Sequence, residues 1–112
     1  MANYREYMDV ESALNRIGGN ATLYKKLLKI FLTETHVEEL GMAINNDDNE
    51  QIARLAHTVK GVCANLSLDN LKLVATDIEA RIKDGLECKS FLPTLTESYN
   101  QTAVVINDYI NR

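Results

Sequence analysis

The segment Glu50–Leu66 constrains the fold more than any other part of the chain. Its apolar residues, Ile52, Leu55, Ala56, Val59, Val62, Cys63 and Leu66, recur at intervals of three and four. That spacing draws a single stripe down a helix, and such a helix must bury the stripe against other elements. At roughly 100° per residue, His57 projects about 160° from the centre of the stripe. It is therefore a water-facing histidine and not a core one. Lys60 at i+3, Gly61 at i+4 and Ala64 at i+7 share its side of the helix. A solvated face ordinarily carries long side chains with good helix propensity. This one carries an imidazole, an ammonium and two residues with almost no side chain. Gly61 costs the helix about 1 kcal/mol relative to Ala. Close approach of another macromolecule to the imidazole is a return that fits this cost.

The remaining segments also read as helices, and none shows sustained strand-type alternation. Residues 1–8 have no clear period and are read as a mobile or loosely packed lead-in. Asp9 suits the N-cap of a short helix to about Ile17, stopped by Gly18-Gly19. Asn20 caps a long helix to about Ile44, whose apolar residues drift in face near Glu34. Twenty-five residues at 1.5 Å make a rod of roughly 37 Å. His36 lies on it as a solvent-facing or rim histidine. Asn45–Asn49 is a turn, with Asp47 in a capping-box pattern with Glu50 and Asp48 as the alternative cap. Ser67 is placed to cap a fourth helix to about Asp84, stopped by Gly85. Ser90 can cap a last helix that tolerates Pro93 in its first turn. The expected fold is all-α: one domain over residues 1–112, an antiparallel four-helix bundle with an additional short N-terminal helix.

Composition excludes several classes. The net charge is −4 and no basic run exists, which argues against nucleic acid. No run is long and apolar enough for a membrane span or a signal peptide, so a cytoplasmic setting is expected, for a whole protein or a piece of one. Cys63 falls in the core stripe. Cys88 lies near a loop and reads as an incidental surface thiol, and the two make no metal or redox pair. A di-iron-type bundle needs inward Glu-x-x-His pairs, and the chain has none. There is no glycine-rich phosphate loop and no acid cluster to hold magnesium, so the chain is not expected to bind ATP or act as a self-sufficient kinase.

His57-Thr58-Val59-Lys60-Gly61 resembles the His-x-x-Lys-Gly motif of histidine phosphotransfer (HPt) domains. The likeness extends to Gly18-Gly19-Asn20, to Leu27–Leu32, to Asp48 and to Ile78-Glu79. Two positions depart from the family's pattern: Val59 stands where Leu is usual, and Leu66-Ser67 where an apolar residue and Gly are common. The resemblance implies a phosphorelay intermediate that carries a phosphoryl group on Nε2 of His57. It implies response-regulator receiver domains as partners, with a hybrid histidine kinase as a further one. The receiver would supply the phosphorylated aspartate and the Mg2+, since this chain is expected to bind no cofactor or metal of its own.

The residues fit that chemistry. If Nε2 is to attack phosphorus, Nδ1 must hold the proton and an acceptor must keep it there. Glu79, about 70° off the apolar centre of the fourth helix, is the candidate acceptor. Lys60 is placed to offset phosphoryl charge, a role the resemblance implies as well. Gly61 reads as clearance for a partner's surface, with Ala64 beside it, and Arg54 at i−3 as a lesser aid to phosphate or partner. Thr58 reads as structural. A monomer is expected. The competing class is a docking or regulatory module that is never phosphorylated, but such a module has no need of both His57 and Lys60.

Overall fold

The computed structural model describes residues 4–112. Its helices are α1 (Tyr4–Tyr7), α2 (Val10–Arg16), α3 (Ala21–Thr33), α4 (His36–Asn45), α5 (Asn49–Leu66), α6 (Asp69–Lys83) and α7 (Leu92–Ile110). A single 3-10 turn, Lys89–Phe91, leads into α7. No strand occurs among the described residues. The architecture is an antiparallel four-helix bundle whose first rod is divided into α3 and α4. Around the bundle, α4 packs on α5, α5 on α6, α6 on α7, and α7 on both α3 and α4.

The division of the first rod corrects the expectation of one helix from Asn20 to Ile44. Glu34 is extended (φ −74°, ψ 154°) and Thr35 leads into α4. Thr33 turns its hydroxyl back onto the Ile30 carbonyl at 2.8 Å, and Glu34 takes the His36 ring through Nδ1 at 3.0 Å. Threonine side chains that bond nearby backbone compete with the helix ladder. The break also lets the two halves bury different faces. Tyr24, Leu28 and Phe31 enter the core from α3, and Leu40, Ala43 and Ile44 from α4. The drift in apolar face near Glu34 is the sequence trace of this change.

The core runs the length of the bundle. The stripe of α5 is buried as its spacing requires, with Ile52, Leu55, Ala56, Val59, Cys63 and Leu66 inside, while Val62 is half-buried. Burial pushes the Cys63 thiol up to about 12, so it stays protonated. Cys88 is buried as well, at 5% exposure, and is not the surface thiol expected from its loop position. The lead-in also differs from expectation. Tyr4–Tyr7 is helical and Met8 is fully buried, because α1 lies against α6 and α7. Residues 1–3 of that lead-in lie outside the described residues.

Three side-chain caps fix where helices begin. Asp9 and Asn20 cap α2 and α3 through Ser12 and Leu23 N–H, at 3.1 and 2.9 Å. Asp48, not Asp47, caps α5, accepting from Gln51 N–H at 3.3 Å. Ser67 does not cap α6. It ends α5 in the left-handed region (φ 55°), with Leu68 N–H on the Cys63 carbonyl at 2.9 Å and Ser67 N–H on Ala64 at 3.4 Å. This is the Schellman closure, usually a glycine's place. A serine survives there because its hydroxyl accepts a hydrogen bond from Arg16 of α2 and its own carbonyl accepts Asp9 N–H at 2.9 Å. Nor does Ser90 cap α7. Both its N–H (2.9 Å) and its hydroxyl (2.8 Å) donate to the Glu87 carboxylate, which also receives Arg81 at 2.8 Å. Pro93 sits in the first turn of α7, as expected.

The end of α5 is further tied by Tyr24, whose buried hydroxyl donates to the Leu66 carbonyl at 2.6 Å. Tyr24→Phe leaves that carbonyl unpaired in the core. The expected cost is about 1–2 kcal/mol, read as a lower urea midpoint with an unchanged slope. An unchanged midpoint would show that this bond adds nothing to the lock on α5.

Candidate functional site

His57 lies near the middle of α5, on the face opposite the buried stripe, and its side chain is 72% exposed. Glu79 enters from α6. It is only 10% exposed as a side chain, far less than a surface carboxylate, because it lies in the seam between α5 and α6. Its Oε2 meets His57 Nδ1 at 2.8 Å, and its Oε1 receives Lys60 Nζ at 2.5 Å. One carboxylate therefore bridges two α5 residues a turn apart. A buried carboxylate is tolerated only when paired and hydrogen-bonded, and both conditions hold here.

The arrangement fixes the ring chemically. An ionised carboxylate can only accept, so the nitrogen that faces it, Nδ1, must carry the proton. Nε2 is then the nitrogen with the free lone pair, on the exposed side of a ring that is largely in water. The Lys60 hydrogen bond holds the Glu79 carboxyl below its ordinary range. Burial opposes this, and the His57 bond and the charges of Lys60 and Lys83 reinforce it. Glu79 is thus anionic at neutral pH.

The structure brings together three of the residues singled out in sequence, His57, Lys60 and Glu79. Gly61 is exposed on the same face, and a Cβ built there meets nothing within 4 Å. Ala64 is half-buried one turn further on. Arg54 is exposed but not directed at the imidazole. Its guanidinium donates to Gln51 Oε1 at 3.0 and 2.5 Å. Thr58 donates its hydroxyl to the Arg54 carbonyl at 3.0 Å, a structural part. His36 sits at the rim, half-exposed and bonded to Glu34, on another helix. The Lys60–Glu79 pair was not read from sequence. Both side chains lie on flanks of their helices, and only an antiparallel α5–α6 pairing in register makes the flanks face each other.

A family model for the Hpt domain matches residues 26–103, more than half of the chain. The chain belongs to the Hpt domain family. Membership implies histidine phosphotransfer in two-component phosphorelay, by a phosphocarrier module that does not use ATP. Comparison with curated proteins and comparison with solved structures gave no match. No group of three His, Cys, Asp or Glu residues that could hold a metal occurs among the described residues of this Hpt domain, and none of their helices is long and apolar enough to cross a membrane. A hollow of about 520 Å³ lies between the α3–α4 break and α7, lined by Val37, Gly41 and Tyr99 among others, and His57 is not part of its lining. A ring that reacts with another protein needs exposure and not a pocket, so the hollow and the chemistry need not coincide.

The depressed acidity of Glu79 has a thermodynamic consequence. A carboxylate whose folded value lies below its unfolded value stabilises the fold above the unfolded value and loses that contribution as pH falls through the folded one. The difference in melting temperature between the native chain and Glu79→Gln should therefore narrow as pH is lowered from about 5 to about 3. A difference that stays constant over this range would mean that Glu79 is not stabilised as an anion.

Proposed function

We propose that this Hpt domain accepts a phosphoryl group on His57 Nε2 from a phospho-aspartate receiver domain and returns it reversibly to another. The observation that carries the reading is the Nδ1–Glu79 hydrogen bond on an otherwise exposed ring, since it leaves Nε2 as the nucleophile. The Nε2 lone pair forms the N–P bond while the P–O bond to the receiver's aspartate breaks, its electron pair leaving with the carboxylate. Backbone clearance at Gly61, with Ala64 beside it, admits the partner's surface. Exposed Arg54 lies at the edge of the same face, within reach of a docked partner.

Lys60 offsets charge on the transferring group. It is bonded to Glu79 in the resting protein, at a side chain still 31% exposed, so it can turn toward an arriving phosphoryl group without crossing the core. In this reading the chain binds no ATP, and the magnesium that in-line transfer needs belongs to the receiver. The docking partners are receiver domains, alone or as part of a hybrid histidine kinase. Neither nucleic acid nor a membrane has a part in the transfer, and a monomer suffices for it.

Incubation with phosphorylated receivers tests this directly. The native chain should gain acid-labile phosphate and His57→Gln should gain none. Binding without phosphate on His57 would replace the proposal with a docking-only module. Lys60→Ala should fold normally and transfer about tenfold more slowly, the loss of one charge-assisted contact in the transition state. Gly61→Arg should leave the helix at least as stable, because its Cβ meets open space, while transfer falls through failed docking. Undiminished transfer by Gly61→Arg would remove the clearance role.

A further inference from the structure

We infer that Glu79 keeps the Nδ1 proton on the His57 ring after the phosphoryl group arrives, so that the phosphorylated ring stays in the form that can be donated onward. The inference rests on the phosphoacceptor reading and deepens it. It begins from the identity of the acceptor. A neutral amide at position 79 could orient Nδ1–H equally well, but this chain has an anion there, 2.8 Å from the ring nitrogen.

The consequence follows from proton and electron accounting. When Nε2 of the neutral ring takes the phosphoryl group, the ring holds both the N–P bond and the Nδ1 proton and becomes cationic. In the onward step a carboxylate oxygen of the acceptor attacks phosphorus, the N–P electrons return to Nε2, and a neutral imidazole departs. No proton moves in either direction. If the Nδ1 proton is lost to water between the two steps, the departing group is an imidazolate anion, a far poorer leaving group. An anion in contact with the ring opposes that loss, whereas a neutral acceptor does so only weakly.

The surroundings decide whether the proton stays on the ring or passes to the carboxylate. Lys60, 2.5 Å from the other oxygen of Glu79, holds the carboxylate anionic and weakens it as a base. From α6, Lys83 lies one turn beyond Glu79 and acts on it in the same sense. On α5, Arg54 is engaged with Gln51. From α4, Glu39 borders the shallow groove that also contains Arg54, a groove that neither His57 nor Glu79 lines. The contact of α3 with α5 includes the buried Tyr24–Leu66 bond, at the core and not at the ring face. The carboxylate in direct contact therefore sets the balance, with Lys60 moderating it.

The test uses the full chain labelled with 15N and phosphorylated with phosphoramidate, so that no receiver is required. The Nδ1 resonance of the phosphorylated ring is followed against pH. In Glu79→Gln the midpoint for loss of the ring proton should fall by about one unit or more. In Lys60→Met, which removes the moderating charge and keeps Glu79, it should rise. Equal midpoints in the native chain and Glu79→Gln overturn the inference and leave the phosphoacceptor reading intact. Should Glu79→Gln fail to fold, a Lys60→Met midpoint at or below the native one overturns it. If no phosphorylated receiver loads His57 although phosphoramidate does, the receiver reading fails while the midpoints still judge the ring. If phosphoramidate also leaves His57 unmodified, both fall.

Discussion

The geometry of the site depends on the closure between α5 and α6. Only Ser67 and Leu68 separate the two helices, and the left-handed turn at Ser67 reverses the chain within them. His57 stands about 14 Å from the end of α5 and Glu79 about 15 Å from the start of α6, at 1.5 Å per residue. The two side chains therefore meet at equal height without any long-range adjustment. Arg16, Asp9 and Tyr24 all bond this closure or the carbonyls beside it. The N-terminal helices, which contribute nothing chemical to the site, hold its register from 49 or more residues away along the chain in the case of Arg16.

Burial gives this register its electrostatic effect. At the surface, a His–Glu–Lys cluster would be screened and contribute little. In the α5–α6 seam the Glu79 carboxylate is largely out of water, while His57 remains in it. One end of the contact is thus held by protein and the other is free to react. The two hydrogen bonds to Glu79 have different tasks: the bond from His57 selects the tautomer, and the bond from Lys60 keeps the selecting group charged.

Periodicity in the sequence carried most of the fold. The α5 stripe and the exposed position of His57 follow from helix geometry alone, and the motif around them is specific enough to name the family. The two serines share one physical origin: each hydroxyl that could have capped a helix is taken by another partner. Ser67 could have capped α6 but is held in the closing turn, with its hydroxyl on Arg16. Ser90 could have capped α7 but donates to Glu87 instead. Cys88 sits in a connecting segment and yet is buried, and Met8 is covered once α1 lies on α6 and α7. The break at Glu34 left a trace in the drifting apolar face, but the size of the drift does not say whether a helix will bend or stop. For the site, the direction of His57 was legible and the Lys60–Glu79 pair was not, since it depends on how two helices are phased across a turn.

Gly61 separates internal from external causes. A mid-helix glycine is often kept because a neighbouring element leaves no room for a Cβ. At Gly61 that cause is absent, because an added Cβ meets nothing within 4 Å. The same is true of Gly41 on α4, so open space alone does not imply a docking surface. What distinguishes Gly61 is its neighbour: it is one turn from an exposed ring whose reactive nitrogen points outward. The helix gives up about 1 kcal/mol at this position without any return inside the domain. In the proposed function the return lies in a complex, where the absence of a side chain would let a partner's backbone come close to His57. On that proposal, stability lost in the free chain and reactivity gained in the complex are two sides of the same glycine.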